Sequence, residues 1–263
     1  MRLITLTTDF GLADWFVGTM KGVIARIAPR TQVIDLTHGL PPGDIRAGAF
    51  ALAASYRFFP KGTVHVAVVD PDVGTKRRAI AVQTTNYFFV GPDNGLLSLA
   101  LRREKIKAIR ALENKTYFLQ PLSQTFHGRD IFAPVAAHLT RGLAIQKLGP
   151  ALKSFVRLPW PEPRRIHEKI EGEVVYIDRF GNAITNIEGV VLNDLGDGPC
   201  EVMAGRHGPF PMATSYQSVP AGQPVAVPGS SGFLEIAING GSAQKRLGLK
   251  IGSRILCRLR CPD

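Results

Sequence analysis

Apolar positions fall into two textures along the chain. In the first half, continuous apolar runs alternate with stretches of helical period. The runs "RLITLTTD", "QVIDLTH", "TVHVAVVD", "AIAVQTT" and "YFFVG" predict strands. "DWFVGTMKGVIARIAP" predicts a helix, because Phe16, Met20, Val23, Ile24 and Ile27 share one face and Pro29 stops it. "DIRAGAFALAASYRFF", "DNGLLSLALRRE" and "RDIFAPVAAHLTRG" predict three more helices, the last delayed or kinked by Pro134. Strands that are apolar on both faces, set between amphipathic helices, imply a mainly parallel sheet covered on both sides. The fold class is therefore α/β, with a three-layer first domain.

The texture changes after "RLPWPEPRRIHEK", which carries Pro159, Pro161 and Pro163 and then a charge cluster. That stretch reads as a stiff linker. Beyond it come short strands and turns: "GEVVYID", "NAITNI", "CEVMA", "QPVAVPG", "GFLEIAI" and "SRILCRLR". They predict a small antiparallel domain closed as a β-barrel. The expected division is an α/β domain over 1–157, a linker over 158–169 and a barrel over 170–263. There is no internal repeat and no low-complexity segment.

Hydrophobic residues make up 45% of the 263 and charged residues 20%, enough apolar mass for one large or two ordinary cores. The N-terminus reaches an acid and a glycine too soon for a signal peptide, and no apolar run approaches the roughly 20 residues of a membrane span. Three cysteines, Cys200, Cys257 and Cys261, are an odd count with no CxxC spacing. They predict reduced thiols and a cytoplasmic protein, and argue against zinc. The net charge of +11 permits nucleic-acid binding. Yet the clusters "LRREKIKAIR" and "CRLRC" lack the interleaved aromatics of a single-strand binder, so scattered surface charge is the plainer reading.

No GxGxxG follows the first strand, and there is no P-loop, GxSxG elbow or HExxH. What remains is a set of polar residues at strand ends, where open α/β sheets bind ligands. Asp9 ends the first strand, as a ribose-diol acceptor or as a turn aspartate before the helix. In "AVVDPDVGTKRRAI", Asp70 ends one buried strand and Arg77 opens the next. The turn is either a hairpin with solvated charges or the edge of a site. His127, in "TFHGRDIFAP", precedes a helix, where packing or capping would also explain it. In the second domain "YIDRFGNAITNI" places Asp178, Phe180 and Asn182 around a tight turn. "GSSGFLEIAINGGSA" offers Ser230, Glu235, Asn239 and a Gly240-Gly241 pair, small residues and bare backbone that suit a flat ligand or a barrel corner.

Six of these stretches, "TLTTDFG", "VVDPDVGTKRRAI", "VGPDNGLLS", "TFHGRDIFAPVAAHL", "IDRFGNAITNI" and "GFLEIAINGGSA", occur in the order found in the S-adenosylmethionine (SAM) hydrolases. This family is also called SAM hydroxide adenosyltransferase and is related to the SAM-dependent fluorinase and chlorinase. The resemblance runs from near residue 4 to near residue 250. It implies an α/β domain followed by a β-barrel, and a homotrimer whose sites lie between the first domain of one subunit and the second of its neighbour. It implies hydrolysis of SAM to adenosine and L-methionine with no cofactor and no metal. Asp70, Arg77 and His127 then match the family's catalytic set and Asp9 its ribose-binding aspartate. Asn182, Ser230, Glu235 and Ile238 match adenosine and methionine contacts, with Asp178 and Phe180 in the same wall. Two positions depart from the pattern. Asp72 stands where glycine is common, in a turn where Asp tolerates a left-handed backbone, and Gly240 stands where a larger residue is frequent.

Water attacking C5′ of a sulfonium needs orientation, desolvation and removal of a proton, whereas the leaving thioether needs no acid. Asp70 and His127 both qualify as the base. The alternatives are a halogenase, which would need no base, and a nucleoside- or nucleic-acid-binding protein without turnover.

Overall fold

The computed structural model describes residues 2–189 and 200–259, and the chain divides into two compact units, Met1–Leu158 and Pro159–Asp263. The first unit holds one sheet of six strands: β1 (Leu3–Thr8), β2 (Gln32–Thr37), β3 (Val64–Val68), β4 (Ala79–Thr84), β5 (Phe88–Pro92) and β6 (Ile106–Ala111). Their order across the sheet is β2-β1-β3-β5-β4-β6. β1 is parallel to β2 and β3, and β3 to β5, while β4 lies antiparallel between β5 and β6. Only β4 opposes the common direction, so the sheet is mainly parallel as its apolar runs require.

Four helices accompany it: α1 (Phe16–Ile27), α2 (Ile45–Ser55), α3 (Ser98–Leu101) and α4 (Ala133–Thr140). Strand side chains alternate between faces. Ile4, Leu6, Val64 and Val66 pack with Met20 and Ile24 of α1 and Val135 and Ala136 of α4. The intervening His65 turns to the opposite side, against Tyr56 just beyond α2. His65 is fully buried, its Nδ1 lies 2.7 Å from Thr5 Oγ1, and its ring stacks on Phe89. Burial pushes its pKa down to about 3.

Two elements differ from the expectation, each for a local reason, and the late start expected of a third is found. The helix expected over "DNGLLSLALRRE" shrinks to α3. Asn94 donates to the Val69 carbonyl at 2.8 Å and accepts from Leu96 N, which holds residues 94–96 as a turn. The basic stretch "EKIKAIR" contains β6, the last strand in the sheet order, which pairs with β4 and touches only an isolated bridge from Arg110 to Ala151 besides. Its lysine and arginine hide the alternation, and charged edge strands are common. The helix expected from Arg129 opens with a π-helical turn, Gly128–Phe132, and becomes α-helical only at Ala133, next to Pro134.

The second unit is antiparallel: β7 (Arg164–Ile166), β8 (Lys169–Ile177), β9 (Ala183–Glu188), β10 (Cys200–Ala204), β11 (His207–Pro211), β12 (Pro224–Pro228), β13 (Phe233–Ile238) and β14 (Arg254–Leu259). The order is β11-β10-β14-β8-β9-β13-β12, with β7 on β8. A bridge from Met212 to Ala226 brings the end of β11 to β12, so the sheet nearly closes into a barrel. Its core includes Ile170, Val174, Val202, Leu234, Ile236 and Ile255. A short helix, α5 (Ala243–Leu247), is capped by Ser242, whose Oγ accepts from Lys245 N. The proline-rich stretch is not linker throughout, since β7 lies within it. Cys200 and Cys257 are buried free thiols, and burial raises the pKa of both. Cys261 lies outside the described residues. Among the described residues no helix is long and apolar enough to cross a membrane.

Candidate active site

Asp70 and Arg77 stand at the ends of β3 and β4, which are not neighbours: β5 lies between them. The connection is therefore no hairpin. It folds back on itself through Val73 N to Asp70 O and Thr75 N to Asp72 O, both 3.2 Å. Gly74 takes φ +80°, and a Cβ there would collide with the Gln124 carbonyl oxygen. Asp72 is exposed, and among the described non-glycine residues only His167 has a positive φ. The left-handed turn foreseen at Asp72 thus falls on Gly74 instead.

This fold-back turns both charges inward. Arg77 Nε donates to Asp70 Oδ1 at 2.9 Å, and Nη2 donates to Oδ2. The same Nη2 reaches His127 Nδ1 at 2.8 Å. The Arg77 and Asp70 side chains are only 8% and 4% exposed, so the pair is nearly dry. His127 precedes the π-helical turn. Three residues on, the fully buried Asp130 accepts from Arg129 Nε at 2.6 Å and Ser123 N at 2.8 Å, which ties the approach segment down. Burial and the Arg77 charge push the His127 pKa below its ordinary 6.5, against smaller opposing effects of Asp70 and Asp130. Asp70, His127 and Gly128 line a cavity of about 140 Å³ with Phe10, Phe16 and Phe126. The three rings meet at centroid distances of 5.0–5.8 Å. A Cβ on Gly128 would press on Phe126 at 3.1 Å and on Met20 Sδ at 3.3 Å, so this wall has no room for a side chain.

Asp9 does not cap α1, which begins seven residues later without a side-chain cap. Its Oδ2 accepts from Gly43 N at 2.7 Å. The loop that carries it is held by His38: Gly11 N donates to the His38 carbonyl at 2.8 Å, and His38 Nδ1 lies 2.7 Å from Thr8 Oγ1. Asp9 does not line the cavity beside the triad.

The second unit carries a pocket of about 730 Å³, and all six residues that the resemblance assigns to that region line it, Asp178, Phe180, Asn182, Ser230, Glu235 and Ile238, as does Asn239. Asp178 builds the turn. Its Oδ1 accepts from Phe180 N at 2.9 Å and Asn182 N at 2.8 Å, and its Oδ2 from Asn182 Nδ2 at 2.9 Å. The turn leaves Phe180 78% exposed. Burial raises the Glu235 pKa, helped by the Asp178 charge and opposed by the Tyr216 hydroxyl, which donates to Oε2 at 2.8 Å. Sequence reading missed Tyr216 and its neighbour Gln217. They sit on a single 3₁₀ turn with no periodicity, and only the pairing with Glu235 singles Tyr216 out. At Gly240 nothing lies within 4 Å of an added Cβ, but φ is +71°, which explains a glycine there. Among the described residues no group of His, Cys, Asp and Glu could hold a metal ion.

The family profile "SAM hydroxide adenosyltransferase N-terminal domain" matches residues 4–149, and the C-terminal domain profile matches residues 172–256. An (R)-S-adenosyl-L-methionine hydrolase of Thermus thermophilus is 44% identical over 261 residues, covering 96% of this chain and 98% of its own. A fluorinase of Nocardia brasiliensis is more distant, 26% identical with 95% and 94% covered. The crystal structure of an uncharacterized conserved protein from Thermotoga maritima superposes with a TM-score of 0.91 at 40% identity, covering 97% of this chain and 99% of that one. The chain belongs to the SAM hydroxide adenosyltransferase family.

Proposed function

We propose that this protein hydrolyses SAM to adenosine and L-methionine by attack of water on ribose C5′. The observation that carries the reading is the buried interlock of Asp70, Arg77 and His127 against a small aromatic cavity. A buried ion pair is costly to build for stability alone. A neutral histidine beside it is what handling a water molecule demands. In a dry pocket, hydroxide and sulfonium charge annihilate as they react, which favours the transition state over the separated ions. In this reading Asp9 takes the ribose hydroxyls. Asp178, Phe180, Asn182, Ser230, Glu235 and Ile238 form the wall for the rest of the substrate. The reaction asks for no cofactor, because the sulfonium brings its own leaving group.

Two further parts belong to the proposal. The chain works as a homotrimer with each site completed by a neighbouring copy, a reading supported by the presence of two half-pockets, each within its own unit. It works in the cytoplasm, which the two buried free thiols support.

The test is chromatography of SAM incubated with the protein in ¹⁸O-water. Adenosine with ¹⁸O at the 5′ position, together with methionine, is expected. Intact SAM, or a 5′-halo-adenosine formed when chloride or fluoride is added, would overturn the reading. Dilution below the assembly threshold should abolish turnover, and an active monomer in light scattering would remove the trimer.

A further inference from the structure

The contact between Arg77 and His127 decides more than proximity. A guanidinium has five N–H donors and no acceptor, and it stays protonated in proteins. Arg77 Nη2 lies 2.8 Å from His127 Nδ1, so Nδ1 must be the acceptor and its lone pair is occupied. A neutral imidazole whose Nδ1 is bare carries its hydrogen on Nε2. A protonated ring would set one N–H against another beside a cation. Nε2 itself is buried and has no partner, in a ring that lines the aromatic cavity.

We infer that His127 serves the attacking water as a hydrogen-bond donor through Nε2–H, that Arg77 is the positioning residue that fixes this tautomer, and that the water's proton passes to Asp70. The inference rests on the hydrolase reading. Asp70 has the capacity for this role. An ionised carboxylate offers about four lone-pair sites. Arg77 occupies one on each oxygen, and Asp70 lines the same cavity as His127. A water between them donates to Asp70 and accepts from His127, leaving its second lone pair for C5′. As the O–C5′ bond forms, the C5′–S bond breaks and its electron pair stays on sulfur, giving a neutral thioether. The proton moves from the water oxygen to Asp70 and then to solvent, and nothing is oxidised or reduced. His127 never accepts a proton in this cycle, since its free nitrogen faces Arg77.

The tautomer can be read without substrate. In ¹⁵N-labelled full-length protein, long-range ¹H–¹⁵N correlations identify His127 by the signals lost in His127→Gln. The expected pattern is an unprotonated Nδ1 and a protonated Nε2 at neutral pH. In Arg77→Ala the same signals should titrate at higher pH, because the cation that opposes protonation is gone. In turnover, His127→Gln keeps an amide N–H that can reach the Nε2 position and should exceed His127→Ala by at least about tenfold in kcat. The acid limb that His127 protonation imposes on kcat/KM should be absent from His127→Gln. An Nδ1–H tautomer in the wild type overturns the proposal, and so does a His127→Gln as inactive as His127→Ala. A wild type with the stated tautomer that leaves SAM intact overturns the hydrolase reading instead.

Discussion

The two pockets follow opposite rules. In the first unit Asp70, Arg77 and His127 hold one another in place while His127 Nε2 stays without a partner, the ion pair is nearly dry, and the cavity is small and aromatic. In the second the pocket is about five times larger, Phe180 projects into the open, and Glu235 is held by one tyrosine. The difference fits what the proposed reaction asks of each. Chemistry on one water needs groups fixed before the substrate arrives, because reorganisation during reaction raises the barrier. A wall that receives a large flexible ligand needs room and groups free to pair with it.

The contrast breaks most sharply at Arg77. Arg77→Ala strands the buried Asp70 charge and frees the His127 tautomer. It should lower kcat by about 10²–10⁴ while adenosine affinity in calorimetry stays near that of the wild type. Loss of one partner of a buried pair should also destabilise the protein by about 3–5 kcal/mol in urea titration. Equal losses in kcat and in adenosine affinity would erase the division of labour.

In the second unit the counterpart is Gly229. A Cβ there would collide with Glu235 Oε1. Gly229→Ala should push Glu235 from its place and raise KM by about tenfold, with a smaller change in kcat. A fall in kcat alone would assign Glu235 to the chemistry.

Acidification should act on the two units with opposite sign. The fold holds His65 near a pKa of about 3 and His127 below 6.5. As pH falls below 6.5, the unfolded first unit therefore binds protons that the folded one refuses. Its stability drops, by a few kcal/mol in all at His65. Glu235 is raised above its ordinary 4.5. Its contribution is complete below 4.5 and lost as pH rises through the folded value. One tryptophan falls in each unit, Trp15 and Trp160, so Trp15→Phe and Trp160→Phe leave a fluorescence reporter on one unit at a time. Melting temperatures that move the same way in both units between pH 6.5 and 4.5 would contradict this. The smallest effect belongs to Tyr216→Phe. It removes one hydrogen bond, worth about 1 kcal/mol, and should raise the Glu235 pKa further, as infrared titration of the carboxyl would show.

What the sequence disclosed followed from how each segment is buried. β3 reads plainly because every one of its residues is buried, whereas β6, half covered at the sheet edge, hid among its basic side chains. Asp70 and Arg77 drew attention as charges at the mouths of apolar strands. His127 lies 50 residues further on, so only the order of motifs joined it to them. Tyr216 had no such order to lean on, and His38, which holds the Asp9 loop, looked like any residue after a strand. Both are placed by tertiary pairing, which no local pattern encodes.

Gly74 closes the matter of tolerance. Its missing side chain lets the loop bearing Asp70 and Arg77 lie backbone to backbone on the segment leading to His127. In a machinist's vocabulary the two parts are registered on bare datum faces with no shim between them. At this joint the spacing of Asp70 and Arg77 from the His127 segment is set by backbone atoms rather than by a side chain. It is fully exposed to a single methyl group inserted at that joint, one that touches no reacting atom.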